Sequence, residues 1–356
     1  MSTHKFVIYG AGGIGGTIGA RLFQAGFDVA LIARGEHAER LRSQGLTYVN
    51  ADGRTTLPIP CFKHPRQVPC LDKSLGKGLS EDSGQGSDDG ESGGSPDAAA
   101  CHVLLCMKSQ HTEAALRDLA QVCCTRGPAQ QPHLVCVQNG VANERLALRY
   151  FARVSATVVN LPASYLTPGE VVHYTEGYGG ILDTGSYPTG HSDDATVVAQ
   201  ALAQAGFSAR PDPAIMRQKY AKLLLNLGNV VQAAGLDEET QRRLNRRLRK
   251  EALQCFAAAG IDCATKAEVQ QRATGIYRMS SQLERVAGST WQSLARGAAD
   301  VETEYLNGEI CQLGRLHGVA TPANDAVVQI SRRLIRQAAG PGSLTASEVQ
   351  ELLAQQ

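Results

Sequence analysis

Residues 5 to 34 constrain the fold of this chain more than any other stretch. Phe6-Val-Ile-Tyr9 is an apolar run with the length and composition of a buried strand. It ends in Gly10-Ala-Gly12-Gly-Ile-Gly15, after which Ile14, Ile18, Leu22 and Ala25 recur at the spacing of one helix face. Gly26 closes that helix, and Val29-Ala-Leu-Ile-Ala33 reads as a second buried strand. Strand, glycine turn, helix and parallel strand fit within about thirty residues, the length of one βαβ unit.

Each glycine has a physical task in such a unit. Gly10 permits the tight turn, Gly12 lets backbone approach a pyrophosphate, and Gly15 lets the helix pack against the strand. The helix then aims its free N–H groups and positive dipole end at the phosphates. Gly10, Ala11, Gly12, Gly13, Ile14 and Gly15 are therefore the expected dinucleotide-binding turn, set against an ordinary strand–helix turn. Arg34 follows at the end of the second strand, where an acid would bind a ribose 2′-hydroxyl. A guanidinium there forms a forked pair with a 2′-phosphate instead. No acid occupies positions 33 to 35, which favours NADP(H), while the nearby Glu36 leaves NAD open.

The 356 residues suffice for two domains, each with its own core. A net charge of +1 gives no pull toward nucleic acid or a membrane surface. No apolar run approaches the ~20 residues that span a bilayer, and the first strand begins too early for a leader peptide. The expectation is a cytoplasmic protein. Ten cysteines are present, but none shows Cys-x-x-Cys or Cys/His ligand spacing, so neither a zinc site nor a disulfide framework is expected. Cysteine reads here as a small buried hydrophobe.

Further along, 36–44 reads as a short helix and 46–61 as a pair of strands. Residues 73 to 97, rich in Gly, Ser and Asp, cannot bury enough apolar surface to offset their ordering entropy, which predicts a disordered insertion. His102–Met107 and Leu134–Gln138 are buried strands that run into Lys108 and Asn139. In an open parallel sheet the crevice lies beyond the carboxyl ends of the strands, so the glycine turn, Arg34, Lys108 and Asn139 share one edge. Short strands are expected over 156–183, a helix over 192–204 and a last strand over 207–210. Beyond Pro211-Asp-Pro213 the pattern predicts helices near 215–234, 238–259, 265–286, 289–317, 322–338 and 345–355. The fold class is thus α/β: a Rossmann-type dinucleotide-binding domain over 1–212, then an all-helical substrate and catalytic domain over 213–356.

Two clusters in the second half carry reactive side chains. Lys222 and Asn226 are four apart and share a helix face, with Leu223, Leu224 and Leu225 on the others. Such a lysine either snorkels to the surface or faces a cavity. Ser289, Thr290 and Gln292 surround Trp291, the only tryptophan, in a composition suited to a pocket wall.

Apart from 73–97, the chain resembles the ketopantoate reductase (2-dehydropantoate 2-reductase) family. The resemblance rests on Gly10-Ala-Gly12-Gly-Ile-Gly15 with Arg34, Lys108, Gln138-Asn139-Gly140 and Lys222-Leu-x-x-Asn226. Glu302-x-Glu304-Tyr-Leu-Asn307-Gly308 and His317-Gly-Val-Ala-Thr-Pro322 add to it. It implies NADPH as cofactor and a small 2-oxo acid as substrate, with Lys222 as general acid. It further implies that Glu302 holds that lysine and bonds the nascent hydroxyl. Asn139 would lie near nicotinamide and substrate, Asn226 would orient the substrate, Ser289 and Thr290 would grip its carboxylate, and Lys108 would face the cofactor ribose. A homodimer is compatible with a helical second half. Two other readings stand beside this one: a reductase or dehydrogenase of another small 2-oxo or 3-hydroxy acid, and a non-catalytic NADPH-binding sensor.

Overall fold

The computed structural model describes residues 4–72, 100–284, 288–295 and 301–337. The insertion expected at 73–97 and the helix expected at 345–355 lie outside the described residues. In chain order the first half runs β1 (His4–Tyr9), α1 (Gly13–Gln24), β2 (Asp28–Ile32), α2 (Gly35–Gln44), β3 (Leu46–Asn50), β4 (Gly53–Leu57) and β5 (Cys61–Phe62). It continues with β6 (Ala100–Leu105), α3 (Thr112–Val122), β7 (His133–Cys136), α4 (Asn143–Ala147) and β8 (Val154–Thr157). Then come β9 (Ala163–Ser164), β10 (Glu170–His173), β11 (Thr175–Gly177), β12 (Thr184–Ser186) and α5 (Asp193–Gln204).

The main sheet has the order β12-β8-β7-β6-β1-β2-β5, parallel except for β12. From β1 the chain builds outward through β2 and β5, then crosses to β6, β7 and β8. The order therefore reverses between β1 and β6, and the carboxyl ends of those strands open a crevice. Phe6, Ile8 and Leu31 face one apolar layer, while Val7, Tyr9, Val103 and Leu105 face the other. That alternation is the period-two pleat of a strand buried on both sides.

The strand pair expected at 46–61 forms as β3 and β4, within a second sheet of order β4-β3-β10-β9. This sheet covers α1, and a Cβ on Gly16 would come within 2.7 Å of Val171. In place of a strand at 207–210 there are only single bridges, Ile181 to Ser208 and Thr184 to Pro211.

The second half consists of α6 (Ile215–Asn226), α7 (Asn229–Ala233), α8 (Glu238–Ala258), α9 (Lys266–Ala273), β13 (Tyr277–Met279), α10 (Ser289–Ala295), α11 (Asn307–His317) and α12 (Pro322–Arg336). Leu244, Leu248, Ala252 and Cys255 of α8 pack on Leu227, Ile310 and Val327, while its arginines point outward. The Asp237 side chain accepts from Thr240 N at 2.9 Å and caps α8.

Three expected helices differ. The one over 215–234 breaks at Leu227-Gly228, where Gly228 faces Asn245 so closely that a Cβ would lie 2.4 Å from its Oδ1. The one over 265–286 stops at Ala273, and Tyr277–Met279 pairs antiparallel with β11, so among the described residues the second half is helical with one strand. The one over 289–317 is interrupted by a 3-10 turn at Glu302–Tyr305, after which a separate α11 begins at Asn307.

Candidate active site

A cavity of about 1000 Å³ lies at the carboxyl ends of β1, β6 and β7, closed on its far side by α6 and β13. Gly10, Ala11, Gly12, Gly13, Ile14, Arg34, Lys108, Asn139, Lys222, Asn226 and Glu302 all line it. Gly15 sits behind the wall, and a Cβ there would come within 2.2 Å of Gly10 O. Gly10 has φ +100, and a Cβ on it would lie 2.7 Å from Met107 N. Gly12 is different, since nothing lies within 4 Å of its Cβ position. As N-cap of α1 it supplies no side-chain cap, so the first N–H groups of the helix face that open space. Open space over bare helix N–H groups is what a pyrophosphate needs, and the turn fits a dinucleotide.

Two buried contacts hold this turn in shape. His37 accepts the Gly169 N–H on Nδ1 at 2.9 Å and so donates from Nε2 to Ala11 O at 2.8 Å. Burial lowers its pKa, which keeps this neutral tautomer. Cys106 N donates to Tyr9 O at 2.8 Å and continues the β1–β6 ladder to the cavity floor. His37 was not singled out by sequence, although it stands one helical turn after Arg34.

Arg34 reaches the cavity rim with its guanidinium 3.6 Å from Asp118 of α3 and 3.5 Å from the Tyr9 hydroxyl. The acid absent from positions 33 to 35 is thus supplied by another element.

Glu302 is buried, but its ion pair is with Lys108 at 2.8 Å rather than with Lys222. Its other oxygen accepts from Ser109 N at 3.1 Å and Ser109 Oγ at 3.2 Å. Lys108 is therefore turned toward Glu302. Lys222 Nζ instead donates to Asn160 Oδ1 at 2.8 Å. Asn160, a cavity residue missed by sequence, is held by its backbone pairing with Ile181.

Asn226 is 7% exposed, lines the cavity, and its Nδ2 has no hydrogen-bond partner among the described residues. A buried amide that faces a cavity unpaired is a ready donor for a polar ligand. Asn139 also lines the cavity, and its carbonyl accepts from Asn143 Nδ2 at 3.2 Å.

Of the expected carboxylate grip, Thr290 does not line this wall, and the Ser289 side chain lies outside the described residues. Thr290 is buried within α10, and the residues of that segment that line the cavity are Gly288 and Gln292. Trp291 packs against the helical core instead of forming a pocket wall. From β13, Tyr277 and Met279 complete the lining, a contribution that no local pattern could announce.

One turn before Lys222, Lys219 is buried at 2% exposure against Glu144, which is fully buried, with 2.6 Å between Nζ and Oε1. The same ammonium donates to Gln138 O at 2.8 Å and Thr157 O at 3.3 Å. These contacts fix α6 to the ends of β7 and β8 and set where Lys222 and Asn226 enter the cavity.

Two family models match the chain, "Ketopantoate reductase PanE/ApbA" over residues 6–185 and "Ketopantoate reductase PanE/ApbA C terminal" over 214–334. A 2-dehydropantoate 2-reductase of Archaeoglobus fulgidus is 25% identical over 346 residues, covering 93% of this chain and 98% of that protein. One of Pyrococcus horikoshii is also 25% identical, covering 90% and 94%. Among solved structures, a PanE/ApbA family ketopantoate reductase from Ralstonia eutropha JMP134 superposes with TM-score 0.71 at 23% identity, covering 94% of this chain and 99% of that one. D-mandelate dehydrogenase with NADH and anilino(oxo)acetate gives 0.72 at 19% identity, with the same coverage, and shares the fold. No helix among the described residues is long and apolar enough to cross a membrane. The chain belongs to the ketopantoate reductase PanE/ApbA family of NADP-dependent oxidoreductases, which act on a ketone–alcohol pair.

Proposed function

We propose that this protein reduces the ketone of a small 2-oxo acid with NADPH, ketopantoate to pantoate being the reaction for which its curated relatives are named. The observation that carries the reading is one cavity holding the open glycine turn, the Lys222 ammonium and the unpaired Asn226 amide. Gly10 to Gly15 and the α1 N-terminus would hold the pyrophosphate and Arg34 the 2′-phosphate. When bound, NADPH supplies a hydride to the carbonyl carbon.

Negative charge then develops on the carbonyl oxygen, and the Lys222 ammonium both stabilises it and donates the proton that completes the alcohol. Asn160 keeps Nζ in place between turnovers, and Asn226 donates to the substrate from the same helix face. The Lys108–Glu302 pair, tied to Ser109, braces the cavity floor beside Asn139.

The test is NADPH consumption by the purified protein across a panel of 2-oxo acids. Turnover of ketopantoate supports the specific reading, and turnover of only another 2-oxo acid keeps the mechanism while changing the substrate. Cofactor binding without any turnover would leave only a nucleotide sensor.

A further inference from the structure

Two of the ten cysteines meet. Cys70 Sγ lies 2.9 Å from Cys101 Sγ, although 31 positions separate them in the chain. Cys101 stands near the start of β6, opposite Lys5 of β1, and is buried, whereas Cys70 is half-buried. Arg126 pins the backbone that carries Cys70 by donating to Cys70 O at 3.1 Å and Leu71 O at 2.6 Å. Val68, Leu71 and Cys101 share one apolar cluster, so the contact is set by packing on both sides.

The two thiols are chemically unlike. The contact with Cys101, with Lys5 and Arg126 nearby, holds the Cys70 thiol below its usual range. The same contact, with burial, pushes Cys101 up. Burial is the main cause that raises Cys61, Cys106 and Cys136. The pair thus combines a reachable nucleophilic sulfur with a second thiol already in contact.

We propose that Cys70 and Cys101 are a modification site that closes reversibly to a disulfide when a peroxide is the oxidant. The Cys70 thiolate attacks one peroxide oxygen, the O–O bond breaks, and Cys70 becomes a sulfenic acid as hydroxide leaves and takes up a proton. The Cys101 sulfur then attacks the Cys70 sulfur, the S–O bond breaks, and water leaves with the Cys101 proton. Two thiols are oxidised by two electrons and one peroxide is reduced to two waters. The bond joins the two flanks of the Gly-, Ser- and Asp-rich stretch, and its effect is on the unfolded chain. Cys106, on the cavity wall, is five residues past Cys101, roughly 16 Å along an extended strand. The pair sits at the opposite end of the sheet from the cavity, so closure stabilises without blocking it.

Full-length protein is treated with hydrogen peroxide, digested without reduction and analysed by mass spectrometry. The expected product is one peptide pair joining Cys70 to Cys101, two hydrogens lighter than its parts and restored by dithiothreitol. Oxidation should raise Tm by roughly 5–10 °C. That rise should vanish in C70S and C101S and persist in C124S, with each variant's reduced Tm measured first. Where C101S fails to fold, C70S at the half-buried position carries the control. NADPH affinity should stay within twofold of the reduced protein. Cys70 overoxidised beside a Cys101 thiol, Cys70 linked elsewhere, or a lower Tm on oxidation would overturn the assignment, as would a tenfold loss of NADPH affinity.

Discussion

Lys222 shows how far a single side chain can be read before its neighbours are known. Its spacing from Asn226 places both on one face, and both line the cavity. Asn160, which holds its ammonium at 2.8 Å, comes from a segment with only a single bridge and no local signature. If Lys222 is the proton donor, K222A should lower kcat by about 10²–10⁴-fold while NADPH binding survives. N160A should lower kcat by about tenfold, about 1.4 kcal/mol, with little change in KM. Normal turnover by K222A in steady-state assays would remove the role. Glu302 shows the opposite limit. Residue types at Lys108, Lys222 and Glu302 were legible, but which lysine takes the carboxylate depends on where the 3-10 turn at Glu302–Tyr305 docks. Arg34 is similar, since its acid partner Asp118 lies on α3, far away in sequence. R34A should weaken NADPH by about 10- to 100-fold while sparing NADH, the loss of a charge-assisted bond to phosphate. D118N should tighten NADPH by freeing the guanidinium. Equal losses for both cofactors in R34A, measured by fluorescence titration, would break the 2′-phosphate argument.

At the scale of elements, periodicity identified the glycine turn, the parallel strands and the long helices α8 and α12 correctly. It failed where a break is decided from outside. The apolar spacing runs unbroken through Leu227-Gly228, yet the close approach of Asn245 on α8 separates α6 from α7. Tyr277–Met279 is three residues long, and only β11, a hundred residues earlier, makes it a strand. Lys219 is the sharpest case. It looks like a solvated helix residue, but Glu144 and two strand-end carbonyls take it out of water. Breaking a buried pair by removing one partner costs about 3–5 kcal/mol, because the other charge stays buried. K219M should therefore destabilise by that order in urea unfolding, and K219M/E144Q by much less than the sum of the two single variants. Additive losses would show that the two charges are not coupled. Since α6 also carries Lys222, K219M should lower kcat even where the protein remains folded.

Across the whole molecule, histidine burial is divided unequally between the halves. His37, His102, His133 and His173 are all buried and all lie in the first half, whereas His317, in the second, is exposed. Burial lowers each of the four, His102 and His173 to about 4 and His133 to about 3. His102 and His133 share one hydrogen bond, Nδ1 to Nδ1 at 3.0 Å, that must be given up when both are protonated. An unfolded histidine takes up its proton near pH 6.5, so below that the unfolded chain binds more protons than the folded one. Stability must therefore fall as pH drops from about 6.5 towards 3, and level off once the folded histidines are protonated too. H173Q should flatten this slope. The imbalance also predicts where unfolding begins. Trp291, the only tryptophan, packs in the helical core and reports on the second half. On acidification through this window, far-UV circular dichroism should lose the signal of the first half before Trp291 emission shifts. Coincident transitions would mean that the Lys219–Glu144 tie and the β11–β13 pairing bind the halves into one cooperative unit, stronger than the histidine imbalance.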